Sequence, residues 1–244
     1  MRVNVAGVEI DNIAKGEAIQ KIEEFVKSGQ PHYIVTPYSE LIVFAQGDEE
    51  YMKVLNNADL SLPDGVGIIW AAKYLGSQIN ERISGRIFIY DIARLASERN
   101  YCLALVGGEG NVAAQAALVL KKLYPNLKIN ITLSDRMFDA QMIKEINDSN
   151  SDIILIAYSP PKQEKWLYDN YKKLNVKVAI GLGGTFDYLA GKRLTPPDFM
   201  HTMGLEWLWR LITQPWRIKR IWNAVPVFIW KIYMYKLKQH AQRS

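Results

Sequence analysis

The sequence predicts an α/β fold, a Rossmann-like domain with a largely parallel sheet, followed by a C-terminal helical appendage. Three observations predict it. Short β-rich runs alternate with helical patterns along residues 1–200, the reading order of strands joined by crossover helices. Glycine-rich or polar loops follow those strands, at the carboxyl ends where open α/β sheets take ligands. The character of the chain then changes after Pro196-Pro197, which can continue neither a helix nor a central strand. Residues 1–195 are therefore read as the main domain and 196–244 as the appendage.

In order, Arg2 to Ile10 reads as a small hairpin turned near Ala6-Gly7. Ala18, Ile22, Phe25 and Val26 fall at helical spacing, and Gly29 stands where that helix stops. Tyr33 to Thr36 reads as a strand and residues 39–57 as one helix. The run Asp59 to Leu62 comes next, then a turn at Pro63-Asp64-Gly65 and a helix over about 66–75. Tyr101 to Val106, Lys128 to Leu133, Asp152 to Ala157 and Lys177 to Ile180 are the remaining strands. Beyond the proline pair, three helical segments are expected over 204–214, 215–224 and 226–239. Two of them begin at proline, where the missing N–H does no harm.

Composition narrows the function classes. The 244 residues are 49% hydrophobic and 23% charged, ordinary globular material. The one cysteine, Cys102, lies in an apolar run and reads as a small buried hydrophobe, so neither a disulfide framework nor a cysteine metal site is available. Only three histidines occur, none closely paired, so no metal is expected. The N-terminal residues read as no signal peptide, and a reducing cytoplasm is the expected compartment.

The charge is unevenly placed. Residues 201–244 carry eight Lys and Arg against the single acid Glu206, together with five of the seven tryptophans. Rings interleaved with cations suit the water–lipid interface, and Trp216, Trp222 and Trp230 are the expected membrane-facing residues. The longest charge-free run there, Ile221 to Trp230, falls well short of the ~20 apolar residues that span a bilayer. The appendage is thus read as lying on a membrane without crossing it. A basic aromatic surface could also stack RNA bases, but with no RNA-binding module in view no nucleic acid is expected.

Four loops could carry chemistry. Pro63-Asp64-Gly65 follows an apolar strand and precedes a helix, so Asp64 projects from a strand end. Gly107-Gly108-Glu109-Gly110 opens a helical run and suits phosphate at a helix N-terminus. It also leaves open an NAD or S-adenosylmethionine enzyme, although no acidic residue ends the next strand to hold a ribose. Ser159-Pro160-Pro161-Lys162-Gln163-Glu164 and Gly181-Leu182-Gly183-Gly184-Thr185-Phe186-Asp187 each follow a strand. Any one of these is also a plain turn. Four of one polarity point to a cleft, and a non-catalytic membrane-binding module is the reading that would leave Asp64 dispensable.

Taken together the motifs resemble the WecG/TagA/CpsF family, glycosyltransferase family 26, along nearly the whole chain. The matching pieces are Gly7-Val8-Glu9-Ile10-Asp11-Asn12, Thr36-Pro37, Leu62-Pro63-Asp64-Gly65-Val66-Gly67, Glu81-Arg82-Ile83-Ser84-Gly85, Pro161-Lys162-Gln163-Glu164 and Gly183-Gly184-Thr185-Phe186-Asp187. The most specific are Met203-Gly204-Leu205-Glu206-Trp207-Leu208-Trp209-Arg210-Leu211 and Gln214-Pro215-Trp216-Arg217.

The resemblance implies an inverting, metal-independent transferase without a cofactor. Such an enzyme moves a ManNAc-like sugar from a UDP-sugar to undecaprenyl-diphosphate-linked GlcNAc, peripherally on the inner face of the cell membrane. UDP-glucose and UDP-ManNAc-uronate are the alternative donors, and a homo-oligomer is left open. Asp64 is the implied general base with Thr36 beside it. Arg82, Gln163, Gly184, Asp187, Arg210, Arg217 and Arg220 are the expected donor and diphosphate contacts, together with Gly107 of the glycine turn read above as a phosphate site. The chain departs from the family pattern at Tyr38, where asparagine is usual, at Arg86-Ile87-Phe88, where an aspartate is expected, and at Arg136-Met137-Phe138, where Gly-Tyr-Phe is usual.

Overall fold

The structure, a computed structural model, describes residues 1–135, 138–197, 199–200 and 203–243. The predicted hairpin is present as β1 (Arg2–Val5) and β2 (Val8–Asp11), antiparallel and turned at Ala6-Gly7. Six further strands form one sheet: β3 (His32–Val35), β4 (Leu60–Ser61), β5 (Cys102–Gly107), β6 (Lys128–Leu133), β7 (Ile153–Ala157) and β8 (Val178–Gly181). Their order is β4-β3-β8-β7-β5-β6, and every neighbouring pair is parallel. Parallel strands are covered on both faces, which is why β7 is an unbroken apolar run with all five residues buried.

Period-two alternation divides the core into two layers. Leu103 and Leu105 of β5 face one layer with α1 (Lys15–Ser28), α5 (Gly85–Arg99), α6 (Val112–Leu123) and α9 (Thr185–Leu189). Ala104 and Val106 face the other. There they meet α2 (Ser39–Ala45), α3 (Glu49–Asn56), α4 (Val66–Tyr74), α7 (Ala140–Asp148) and α8 (Lys162–Asn170).

Four local expectations need correction. The single helix over 39–57 is two, because Gly47 interrupts it and Asp48 caps α3 by accepting from the Tyr51 N–H at 2.9 Å. Helix α5 is an addition to the expected elements; its N-cap, Ser84, makes no side-chain cap bond. Cys102 is half-buried at the start of β5.

The fourth lies in the appendage. Among its described elements are α10 (Glu206–Thr213), a 3₁₀ turn at Pro215–Arg217, α11 (Ile218–Trp222), a π turn at Asn223–Val227 and α12 (Phe228–Arg243). Pro226 starts no helix: it sits inside the π turn, the wider winding that takes a proline ring and its missing N–H where an α turn would break. From Pro215 onward the segments follow one another without a break. Nor is the appendage apart from the core, since Phe228 and Ile232 are 2% and 0% exposed within the layer formed by α2 and α4. The Tyr235 hydroxyl donates to Asn4 Oδ1 at 3.0 Å, and Lys236 Nζ donates to the Tyr74 carbonyl at 2.5 Å. Among the described residues, no helix is long and apolar enough to cross a membrane.

Candidate active site

All six parallel strands aim their carboxyl ends at one rim, and the loops beyond them surround a cavity of about 810 Å³ roofed by the appendage. That volume suits a nucleotide-sized ligand. Asp64 enters it from the loop after β4. Its backbone N–H donates to the Pro37 carbonyl (3.0 Å), and its Oδ2 accepts from the Gly85 N–H (3.2 Å), so the loop after β3 and the first turn of α5 both hold it. Burial pushes its carboxyl above the ordinary aspartate range. The charge of Arg82 and the Gly85 N–H oppose that rise, Glu206 adds to it, and Arg210 opposes it further. Thr36 lines the same cavity, but its hydroxyl donates to the Gly181 carbonyl at 2.9 Å, tying β3 to β8.

The cations fall into three groups. Glu206, at the head of α10, gathers the first: Arg82 at 2.7 Å, Arg86 at 3.7 Å and Arg210 at 3.9 Å. For Arg210, burial opposes the charge, but Tyr188 and Glu206 outweigh it and its pKa is raised. Arg220 belongs to the second, meeting buried Glu40 through two parallel bonds, Nε to Oε1 at 3.0 Å and Nη2 to Oε2 at 2.7 Å. Its Nη2 also donates to the Tyr38 hydroxyl (3.2 Å), which in turn donates to Glu40 Oε2 (3.2 Å). The departure at Tyr38 is therefore a working part of the joint between core and appendage.

Arg217 is the third. Among the described residues it has no carboxylate partner. Burial, then the charges of Arg193, Arg220 and Arg210, lower its pKa to about 10. It still carries its charge at neutral pH, and its repulsion from the neighbouring Arg193, Arg220 and Arg210 charges would be relieved by an added anion.

Other expected contacts divide. Gly184 and Asp187 line the cavity, with Asp187 paired to Arg193 at 2.6 Å. Gln163 lines it too, but its Oε1 accepts from the Tyr158 N–H (3.0 Å) and the Gly183 N–H (3.1 Å), so it braces the loops after β7 and β8. Gly107 requires correction: its φ is +126°, and a Cβ there would strike the backbone of Ala157, so it allows close approach of β5 and β7 while Gly108 and Glu109 form the wall. Trp216, Trp222 and Trp230 are 74%, 62% and 61% exposed. Ile87 is at the surface of α5, and Met137 lies outside the described residues.

Three functional candidates were not singled out from sequence. Glu40 is the acid in the apolar run Ser39-Glu40-Leu41-Ile42-Val43, a signal of a buried partner. Glu164 lines the cavity, accepting from Tyr51 (3.1 Å) and Gln163 (2.8 Å), and burial raises its pKa. Arg193 carries no pattern beyond lying after Gly191.

With this geometry in place, comparison with known proteins is informative. The profile of the Glycosyl transferase WecG/TagA/CpsF family matches residues 3–242. A Bacillus subtilis (strain 168) protein is 31% identical over 87% of this chain and 80% of its own length. It is named N-acetylglucosaminyldiphosphoundecaprenol N-acetyl-beta-D-mannosaminyltransferase. A Staphylococcus aureus (strain MRSA252) protein of the same name is 26% identical over 97% of this chain and 94% of its own. The reading as an NAD or S-adenosylmethionine enzyme is not favoured. The chain is an enzyme, a glycosyltransferase, and belongs to the WecG/TagA/CpsF family.

Proposed function

We propose that the protein transfers N-acetylmannosamine from a UDP-sugar to the GlcNAc of an undecaprenyl-diphosphate-linked acceptor, on the inner face of the cell membrane. The observation that carries this reading is a carboxylate of raised pKa, Asp64, in an arginine-lined cavity at the carboxyl rim of a parallel sheet. The names of the relatives supply the acceptor and the sugar.

In the reaction, an acceptor hydroxyl attacks the anomeric carbon while the Asp64 carboxylate takes its proton. The new C–O bond forms as the bond from that carbon to the UDP phosphate oxygen breaks, and the electron pair leaves on the diphosphate. A single displacement inverts the anomeric centre. Arg217, without a carboxylate partner among the described residues, meets the departing charge, with Arg210 and Arg82 behind it. We assign that role to arginine rather than to a divalent metal.

The test is a donor panel of UDP-ManNAc, UDP-ManNAc-uronate, UDP-glucose and UDP-GlcNAc against a GlcNAc diphospholipid, run with and without EDTA. Transfer from UDP-ManNAc that survives EDTA is expected. A different preferred donor overturns the sugar assignment, and loss in EDTA restored by Mg²⁺ or Mn²⁺ overturns the arginine role.

A further inference from the structure

A second cavity adjoins the first. It measures about 360 Å³ and lies between α4 and the end of the appendage, walled by Trp70, Tyr74, Pro226, Ile229, Trp230 and Tyr233. Its lining is aromatic and aliphatic throughout. Trp70 and Tyr74 are stacked, with ring centroids 5.4 Å apart and planes inclined by 13°, which gives one flat wall. Trp230 and Tyr233, centroids 6.2 Å apart, give another. Trp70, Ile229, Trp230 and Tyr233 are 41%, 46%, 61% and 44% exposed, so the trough lies open along its length. Lys236 lies 4.2 Å from the centre of the Tyr74 ring, putting a cation beside this wall.

Continuity decides what the trough is for. Trp70 and Ile229 line both cavities, and Phe228, whose ring centroid is 6.3 Å from that of Trp70, lines the catalytic one beside them. One path therefore leads from the arginine-lined pocket to an apolar trough. The polarity changes from cationic to hydrocarbon along it. A molecule complementary to that path has an anionic head and a hydrocarbon chain leaving it.

We infer that the trough between α4 and α12 binds the first isoprene units of the polyprenyl chain of the acceptor, while its diphosphate and sugar lie in the catalytic cavity. This rests on the lipid-diphosphate acceptor of the proposed function. It separates Trp230 from Trp216 and Trp222: the former grips the substrate chain, and the latter two are left to the bilayer. Burying apolar chain against these rings stabilises the complex in proportion to the area covered. The enzyme should therefore discriminate acceptors by chain length even where no membrane is present.

The test uses the full chain in vesicle-free buffer, with water-soluble GlcNAc-diphosphate acceptors bearing one or three isoprene units. The three-unit acceptor should have the lower KM, by roughly tenfold, the scale of one good aromatic contact. The Trp230→Ala/Tyr233→Ser double variant, altered at exposed positions, should bring the ratio of the two KM values towards one. A farnesyl-type diphosphate carrying a photoreactive end group should label peptides containing Trp70 or Trp230, and excess unlabelled compound should suppress the labelling. Three outcomes overturn the assignment: a KM independent of chain length, a ratio unchanged in the double variant, or a ratio that appears only when vesicles are added. A change of oligomeric state in the double variant also overturns it, because the trough would then be a subunit contact. Absence of transfer to either acceptor from any donor overturns the proposed function itself, a result distinct from normal transfer without chain-length preference.

Discussion

Asp64 sits where its charge costs stability and where the proposed reaction needs a base. Because burial raises its folded-state pKa, the folded protein holds this proton more tightly than the unfolded chain does. The stability from that proton is fully present below the unfolded pKa and is lost as pH rises through the folded one. Once ionised, the carboxylate is thus a burden on the fold. Asp64→Asn is expected to lower turnover by ~10²–10⁴-fold while raising the midpoint of thermal unfolding at pH 7. The same raised pKa places the acidic limb of the kcat/KM profile above the pH of ~4 ordinary for an aspartate. Unimpaired turnover, or a limb at the ordinary value, refutes the assignment. The arginines divide in a way that kinetics can read. Arg217→Gln should reduce kcat at least tenfold, the loss of one charge on a leaving group. Glu40→Gln should act through Arg220 and the seating of the appendage, raising the KM for both substrates more than it lowers kcat. Much of this site is legible in sequence: Pro63-Asp64-Gly65 after an apolar strand locates the proposed base, and Glu206-Trp207-Leu208-Trp209-Arg210 locates the roof. What is not legible is who pairs with whom. Glu40 and Arg220 are 180 residues apart yet share two bonds, and no local pattern records a long-range partner.

At the scale of elements, the appendage belongs to the core it covers. Removing residues 215–243 would strip Phe228 and Ile232 from the layer against α2 and α4, and side chains of this kind contribute roughly 1.5–3 kcal/mol each when fully buried. The truncated chain should therefore unfold at a lower denaturant midpoint, bind more of a hydrophobic dye, and fail to transfer sugar. An unchanged midpoint refutes this. Gly204 sets the same joint from its other end: at φ +73° it lies so close to Val66 that a Cβ would meet that side chain at 2.6 Å. Strands were the most legible elements, since a parallel sheet buried on both faces writes itself as β-branched runs. Helix boundaries were less so. Asp48 caps a helix in mid-run, and Pro226, a helix starter by rule, is absorbed by a π turn whose winding depends on what α12 packs against.

Across the whole molecule, the net positive charge and most of the tryptophans lie in the appendage while the rest of the chain is slightly acidic. The protein should sediment with vesicles containing anionic lipid, less so with zwitterionic ones, and less again as salt shortens the Debye length towards the ~3 Å of 1 M solution. Replacing Trp216 and Trp222 with serine should weaken that binding, and equal binding to both vesicle types would refute the electrostatic part. The joining of Tyr235 to Asn4, and of Phe228 and Ile232 to the core layer that also holds Val3 and Val5, bears finally on how the protein is made. A ribosome delivers the sheet, Asp64 and the glycine loops before residues 206–236 emerge. Until then the core lacks two of its buried side chains, and the cavity lacks Glu206, Arg210, Arg217 and Arg220. On the proposed mechanism the nascent chain would carry its base, Asp64, with no roof over it, and activity should begin only when residues 206–236 fold back onto the residues made before them.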